Sequence, residues 1–427
     1  MRAGNSKKNL RHELNYLFRS FQYRNYRLFF SGQSLSLIGT WIQRIALPWL
    51  VYRMTGSPLW LGVVSFASQI PAFVLAPYSG VMIDRWNRYR VLVATQVLAM
   101  FQALILALLY YTHVIQIWHI IILGIFLGVI NAFDMPARQS MVINMVGKRE
   151  DLGNAIALNS TMVNVARLVG PSIAGILIAV TNEGFCFLFN GVSFMFVILS
   201  LLMMKLSLQR APKKKADVLE DFKLGFRYVF GFIPFRNIIL LLAVTSLMGS
   251  PYAVLMPVFA KEVLHGSSYT YGFLMGSSGI GALIGAIYLA SRKKIPGLES
   301  IIPVAAFLFG VGLLSVSLSR EMIISCLLLC IAGFGMAVGM ASSNTVIQTI
   351  VDEDKRGRVM SFYYMAFIGS MPFGSLILGG VADHIGAAYA LMIGGTLCIT
   401  GALVFTIDLP KLKKLIIPVY RKLGILT

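Results

Sequence analysis

The chain has 427 residues; 57% are hydrophobic, only 13% are charged, and the formal net charge is +20. That apolarity excludes a soluble domain of this length. The Lys and Arg lie between apolar runs, without the aromatic interleaving of a nucleic-acid surface, so the charge is assigned to topology and anionic headgroups and no nucleic acid is expected as a partner.

The first 20 residues, MRAGNSKKNLRHELNYLFRS, are polar and basic and lack an apolar h-region. The first spanning segment is therefore expected to serve as the insertion signal. A helix needs roughly 20 apolar residues to cross a bilayer. Twelve segments meet that length: 27–53, 58–83, 90–111, 117–142, 152–180, 184–206, 236–263, 270–291, 300–319, 322–350, 358–382 and 386–408. The expected fold is all-α and integral to the membrane, two pseudo-symmetric six-helix bundles at 27–206 and 236–408. Residues 1–26 form a cytoplasmic segment, 207–235 a cytoplasmic linker with an amphipathic helix on the membrane surface, and 409–427 a basic cytoplasmic tail. With these spans, 32 of the 37 Lys and Arg fall on one side, 3 on the other, and Arg44 and Arg167 lie within the membrane. Such a bias places both termini in the cytoplasm. The halves echo each other: the stretch Pro136–Gly175 recurs loosely as Asn344–Gly380, with Pro171 corresponding to Pro372.

The most specific stretch is GVMIDRWNRYR, Gly80 to Arg90, between the second and third segments. Gly80 allows close helix approach, Asp84 is suited to cap a neighbouring helix N-terminus, and Arg85, Arg88 and Arg90 suit carboxylates. The spacing G-x-x-x-D-R-x-x-R resembles the signature loop of major facilitator superfamily transporters, with Asn87 where that loop usually has glycine. Four further stretches are similar to the branch that includes the enterobactin exporter and related efflux proteins: Gly39–Ser57, Asn131–Ser140, Ala157–Gly175 and Arg356–Gly374. The resemblance implies twelve helices, a substrate path between the halves, and alternating access driven by an ion gradient, usually protons. It also implies an inner gate in which an acid at the inner end of the fourth helix meets the signature loop.

On this pattern Gly80, Asp84, Arg85, Arg88, Asp134 and Arg138 are the gating candidates. Asp134 has two readings that are mutually compatible. It carries the coupling proton, or it pairs with Arg85, Arg88 or with Arg138 one helical turn away. From helix rise, Arg44 is placed near the outer end of the first segment, where it either snorkels outward or meets substrate. Arg167, mid-helix before Gly170-Pro171, suits an anionic group on a substrate or lipid, or else bonds neighbouring carbonyls. Trp41, Gln43, Asn164, Asn344, Gln348 and Tyr364 complete the substrate-binding candidates; Asn164, Asn344 and Gln348 could instead be packing amides, and Trp41 and Tyr364 interfacial aromatics, while Gln43 is read as lining an apolar cavity. Pro171 and Pro372 are expected bend points. The pairs Gly124/Gly128, Gly272/Gly276, Gly281/Gly285 and Gly335/Gly339 suit close packing, static or moving.

There is no nucleotide-binding P-loop, and five scattered histidines and four apolar-segment cysteines form no metal or triad pattern, so no enzyme, metal or cofactor is expected. The expected function is export of a small amphiphile, siderophore-like or drug-like, from the bacterial cytoplasmic membrane by proton antiport. The partners are substrate, protons and lipid, and the chain is read as a monomer. A same-fold uptake transporter or lysophospholipid flippase would differ in direction or cavity content. A sensor or scaffold would need an added soluble domain or a filled cavity.

Overall fold

The structure is a computed structural model that describes residues 18–204, 218–292 and 295–426. Its first six long helices are α1 (Arg24–Thr55), α2 (Pro58–Arg85), α3 (Arg88–Tyr111), α4 (Ile117–Met145), α5 (Leu152–Val180) and α6 (Glu183–Leu202). A short helix α7 (Val218–Gly231) follows. Six more long helices complete the chain: α8 (Ile233–Val263), α9 (Ser268–Ser291), α10 (Leu298–Leu318), α11 (Met322–Ile350), α12 (Arg356–Ile385) and α13 (Ala387–Lys422). Eleven of these are long and apolar enough to cross a membrane among the described residues. The twelfth, α1, has 32 residues. Its length suffices, but Gln33, Ser34, Ser36, Thr40, Gln43 and Arg44 dilute its apolarity. The fold is the expected all-α one of twelve long helices, with α7 as an extra surface element.

Local chemistry sets several helix ends. Asn87 caps α3, its side chain accepting from the backbone N–H of Tyr89 and Arg90 at 3.1 and 3.2 Å. The residue that departs from the signature glycine thus supplies an acceptor for two of the orphan N–H donors at the helix start. Gly56 ends α1 in the left-handed region at φ 63°, which suits a residue without Cβ. The apolar run of the last span ends near 408, yet α13 continues to Lys422 through Pro410 and Pro418. Leu412, Ile416 and Tyr420 are buried there with Val229 of α7 and Phe235 of α8. The tail is therefore a packed helix, because its apolar face has a partner. Residues 207–217 of the expected linker, with 205 and 206 before it, lie outside the described residues.

The helices pack as two groups of six. Within one, α1 lies against α5 and α6, α2 against α4, and α3 against α4 and α6; within the other, α11 packs on α9 and α10, and α10 on α13. The groups meet along α5–α9 and α2–α12, with α8 touching α1 and α2. Buried apolar residues form three clusters. One spans both groups at the end away from the basic loops, joining Val51, Leu61 and Ala174 to Tyr252, Tyr271 and Leu378. At the basic end there are two separate clusters, one around Phe29, Met141 and Val197, the other around Phe235, Ile302 and Val359. The core is thus shared at the far end and divided at the basic end.

Candidate functional site

The far end is closed by contacts between the halves. Asp383, at the end of α12, accepts from Ser57 Oγ at 2.5 Å and from the backbone N–H of Leu59 at 3.4 Å. It therefore caps the start of α2 from the opposite half. The Tyr52 hydroxyl of α1 donates to Glu262 of α8, and the Lys261 ammonium lies 5.4 Å from the Tyr52 ring. Trp49 stacks on Tyr271 with ring centroids 6.0 Å apart. Deeper along α2, Ser65 bonds Ser375 at 3.2 Å, and Phe66 and Phe73 both pack on Phe373. Sequence reading did not single out Asp383, Glu262 or Ser57, because nothing in the chain's spacing shows that 57 and 383 meet.

Glycines bring the halves into backbone contact. A Cβ on Gly272 would lie 2.7 Å from the Pro171 carbonyl, and one on Gly62 would lie 2.5 Å from the Ser375 carbonyl. Of the four expected small-residue pairs, only Gly272/Gly276 sits between halves, against Pro171, Ser172 and Gly175 of α5. Gly124/Gly128 packs on Ser68 and Pro71, Gly281/Gly285 on α11, and Gly335/Gly339 on α10, each within one half. Pro372 follows a π-helical turn at Met365–Gly369, and a second π turn at Thr245–Gly249 interrupts α8. Ser246 donates to the Phe367 carbonyl across these two turns, tying α8 to α12. Pro171 lies inside the continuous helix α5.

Gly80, Asp84 and Arg85 end α2, but their side chains lie outside the described residues; Arg88 opens α3. Asp134 is buried on α4 and forms an ion pair with Arg138, one turn along the same helix. It also accepts from Thr95 Oγ1 at 3.0 Å and from Gln96 Nε2 at 2.5 Å, both on α3. Of the expected partners, the local one is present. Gln96 Oε1 and Arg138 Nε are buried without a hydrogen-bond partner. Thr95 and Gln96 were not among the sequence candidates; two adjacent polar residues on an otherwise apolar span were the available signal.

The substrate candidates divide. Gln43 is buried in a chain of amides: Asn190 Nδ2 donates to Gln43 Oε1 at 2.8 Å, and Gln43 Nε2 donates to Gln102 Oε1 at 3.1 Å. Gln43 thus joins α1, α6 and α3 instead of facing a passage. Asn164 bonds back to the Ser160 carbonyl at 2.9 Å, and Gln348 donates to Asn344 one turn away on α11. Tyr364 is exposed on α12, its ring 5.4 Å from that of the buried Tyr363. Arg44 does not reach outward as expected. Its guanidinium lies 5.0 Å from the ring of Trp41, one turn back along α1, and within electrostatic range of Arg138 and Arg167. Trp41 is seated on Gly170 of α5, where a Cβ would come within 2.5 Å of the Trp41 Cβ. No group of three or more metal-ligating side chains occurs among the described residues.

Comparison with known proteins places this architecture. The family described as transmembrane secretion effector matches residues 17–420. The chain is 28% identical over 392 residues to the staphyloferrin A transporter of Staphylococcus aureus, covering 91% of this chain and 97% of that one. It is 25% identical over 384 residues to the enterobactin exporter EntS of Shigella boydii, covering 87% and 90%. A solved POT family transporter in complex with 5-aminolevulinic acid superposes with a TM-score of 0.74 at 11% identity, covering 91% of this chain and 97% of that one.

Proposed function

Since the chain belongs to the transmembrane secretion effector family of major facilitator transporters, we propose that it exports a small amphiphilic molecule by alternating access coupled to inward proton movement. The protein is a multi-pass membrane transporter and not an enzyme. The exported molecule is siderophore-like or drug-like, the membrane is the bacterial cytoplasmic one, and the working unit is a single chain.

The divided core at the basic end carries this reading. The positive-inside rule puts that end in the cytoplasm. The halves are then sealed outside and parted inside, which is the loading state of an exporter. Hydrophobic contact is what a closed end offers and an open end lacks, so the two ends exchange roles as the halves rock.

Asp134 supplies a route for proton coupling. As a carboxylate it holds Arg138 and takes two hydrogen bonds. Once protonated it no longer balances Arg138 and carries a donor of its own. Gln96 Oε1, buried beside it with no partner, accepts that donor after the amide turns over; an unsatisfied buried acceptor calls for such an explanation. Gly80, Asp84, Arg85 and Arg88 act with Asp134 and Arg138 as the inner gate, so a freed Arg138 is available to the signature loop.

The test is transport in proteoliposomes with an imposed pH gradient, comparing the native chain with Asp134→Asn. The native chain is expected to move substrate toward the basic-end face's opposite side only with protons flowing inward. Asp134→Asn is expected to retain exchange and lose gradient dependence. Unchanged coupling in Asp134→Asn overturns the proton role; net movement inward with the proton gradient replaces export by uptake.

A further inference from the structure

We propose that the space bounded by α1, α4 and α5 is a binding site for a polyanion, a molecule carrying at least two acidic groups, held by Arg44, Arg167 and Arg138. The inference rests on the transport reading and narrows it: the cargo is acidic, and cationic amphiphiles are rejected.

Charge balance is the first ground. Arg44 and Arg167 lie within the membrane-spanning length of the first half, and Arg138 stands on α4 toward its basic end. Asp134, one turn from Arg138 on the same helix, is already committed to it. The other described acids of this half are elsewhere. Asp151 is engaged at the basic end by Arg19, Gln22 and Tyr23, Glu150 next to it is exposed, and Glu183 is held at the far end by Arg53 and Tyr110. Two guanidinium charges are therefore left without a described carboxylate. A guanidinium stays protonated, so the imbalance cannot be relieved by loss of a proton.

Placement is the second ground. The Trp41–Gly170 contact locks α1 to α5. Arg44 stands one helical turn beyond that contact on α1, and Arg167 one turn before it on α5. Arg44 retains an exposed side chain although α1 is packed by α5 and α6 and touched by α2, α4 and α8. Its guanidinium lies over Trp41, whose Cβ sits on Gly170, which places it on the α5 side of α1. Arg138 and Arg167 are within electrostatic range of it, and Arg138 Nε is buried with no acceptor. Like charges held together in a membrane protein mark a place where a counter-charge is supplied from outside. Each guanidinium forks onto one carboxylate or comparable oxyanion, so two free forks match a dianion. The Trp41 ring beside Arg44 leaves an apolar wall for the rest of the molecule.

The acidic groups belong to a dissolved solute or to an anionic lipid headgroup, and the test separates these. The full chain is placed in nanodiscs of phosphatidylcholine alone, or with phosphatidylglycerol. Thermal unfolding and equilibrium binding are followed with propane-1,2,3-tricarboxylate as probe and butyrate as the monoacid control. The tricarboxylate is expected to raise the unfolding midpoint and to bind at least tenfold more tightly than butyrate. Phosphatidylglycerol that competes with it identifies a lipid headgroup as the occupant; phosphatidylglycerol without effect identifies a solute. Arg44→Gln and Arg167→Gln are each expected to weaken the probe at least tenfold, with Arg44→Lys between native and Arg44→Gln. Without probe, Arg44→Gln is expected to unfold no lower than the native chain, because it relieves repulsion; a purely structural arginine would lower it. Binding unaffected by either glutamine variant, or no response to tricarboxylate or phosphatidylglycerol, overturns the site. Polyanion binding without gradient-driven movement in liposomes retains the site and removes the transport reading, while transport with no polyanion response does the reverse.

Discussion

Asp383 ties the two halves through one carboxylate, and its chemistry is local enough to isolate. It caps the first turn of α2 by accepting from Ser57 and Leu59 across the interface. Loss of an N-cap costs about 0.5–2 kcal/mol, which corresponds to roughly a 2–30-fold change in an equilibrium. Asp383→Ala removes the acceptor and with it the cap. It is expected to raise labelling of a cysteine at position 57 or 59 by a membrane-impermeant thiol reagent added outside, by several-fold. Unchanged labelling would show that Asp383 caps α2 without holding the seal. At this scale the sequence was partly legible. Asp134 and Arg138 are four residues apart, so their pairing follows from helix geometry alone. Asn87 was read only as a departure from the signature glycine and is a cap, because its role depends on backbone dihedrals that the spacing does not reveal. Gln43 was read as facing substrate and lies in an amide chain, because its partners Gln102 and Asn190 are remote in the chain.

At the scale of helices, glycines of one type do two jobs. Gly281 brings α9 onto α11 within one half, and its added Cβ would fall within 2 Å of the Cys330 carbonyl. Gly272 brings α9 onto α5 of the other half. Overpacking of a close contact costs about 1–3 kcal/mol. Gly281→Ala is therefore expected to lower thermal stability by about that amount while leaving the inside-open to outside-open balance alone. Gly272→Ala is expected to shift that balance toward outside-open, read by external thiol labelling, with a smaller stability loss because the halves can part. Equal stability losses with no shift in labelling would make both glycines static. The helices themselves follow from apolar run length, since a membrane leaves the backbone no other way to satisfy its hydrogen bonds. What run length misses is the π turns at Thr245–Gly249 and Met365–Gly369 and the continuation of α13, all fixed by partners in three dimensions.

For the whole molecule, the divided core implies opposite motions at the two ends. Spin labels at Ile156 and Ile287, toward the basic ends of α5 and α9, report one end; Val180 and Tyr269, toward the far ends, report the other. All four positions are exposed. Substrate with an imposed proton gradient is expected to shorten the first distance and lengthen the second together. Change in one pair alone would indicate bending of a helix in place of rocking of the halves.

The sequence by itself determined the long apolar helices, the one-sided charge bias of the segments between them, and the arginines stranded among them. Those features arise from transfer free energies and helix periodicity, which act on neighbours in the chain. Only the tertiary structure decided which end is sealed, that Asp383 caps α2, that one glycine pair of four lies between the halves, and that Arg44 turns toward Arg138 and Arg167. Each depends on contacts between residues far apart in the chain, and a hydrophobic or charged residue carries no record of which distant partner it will meet.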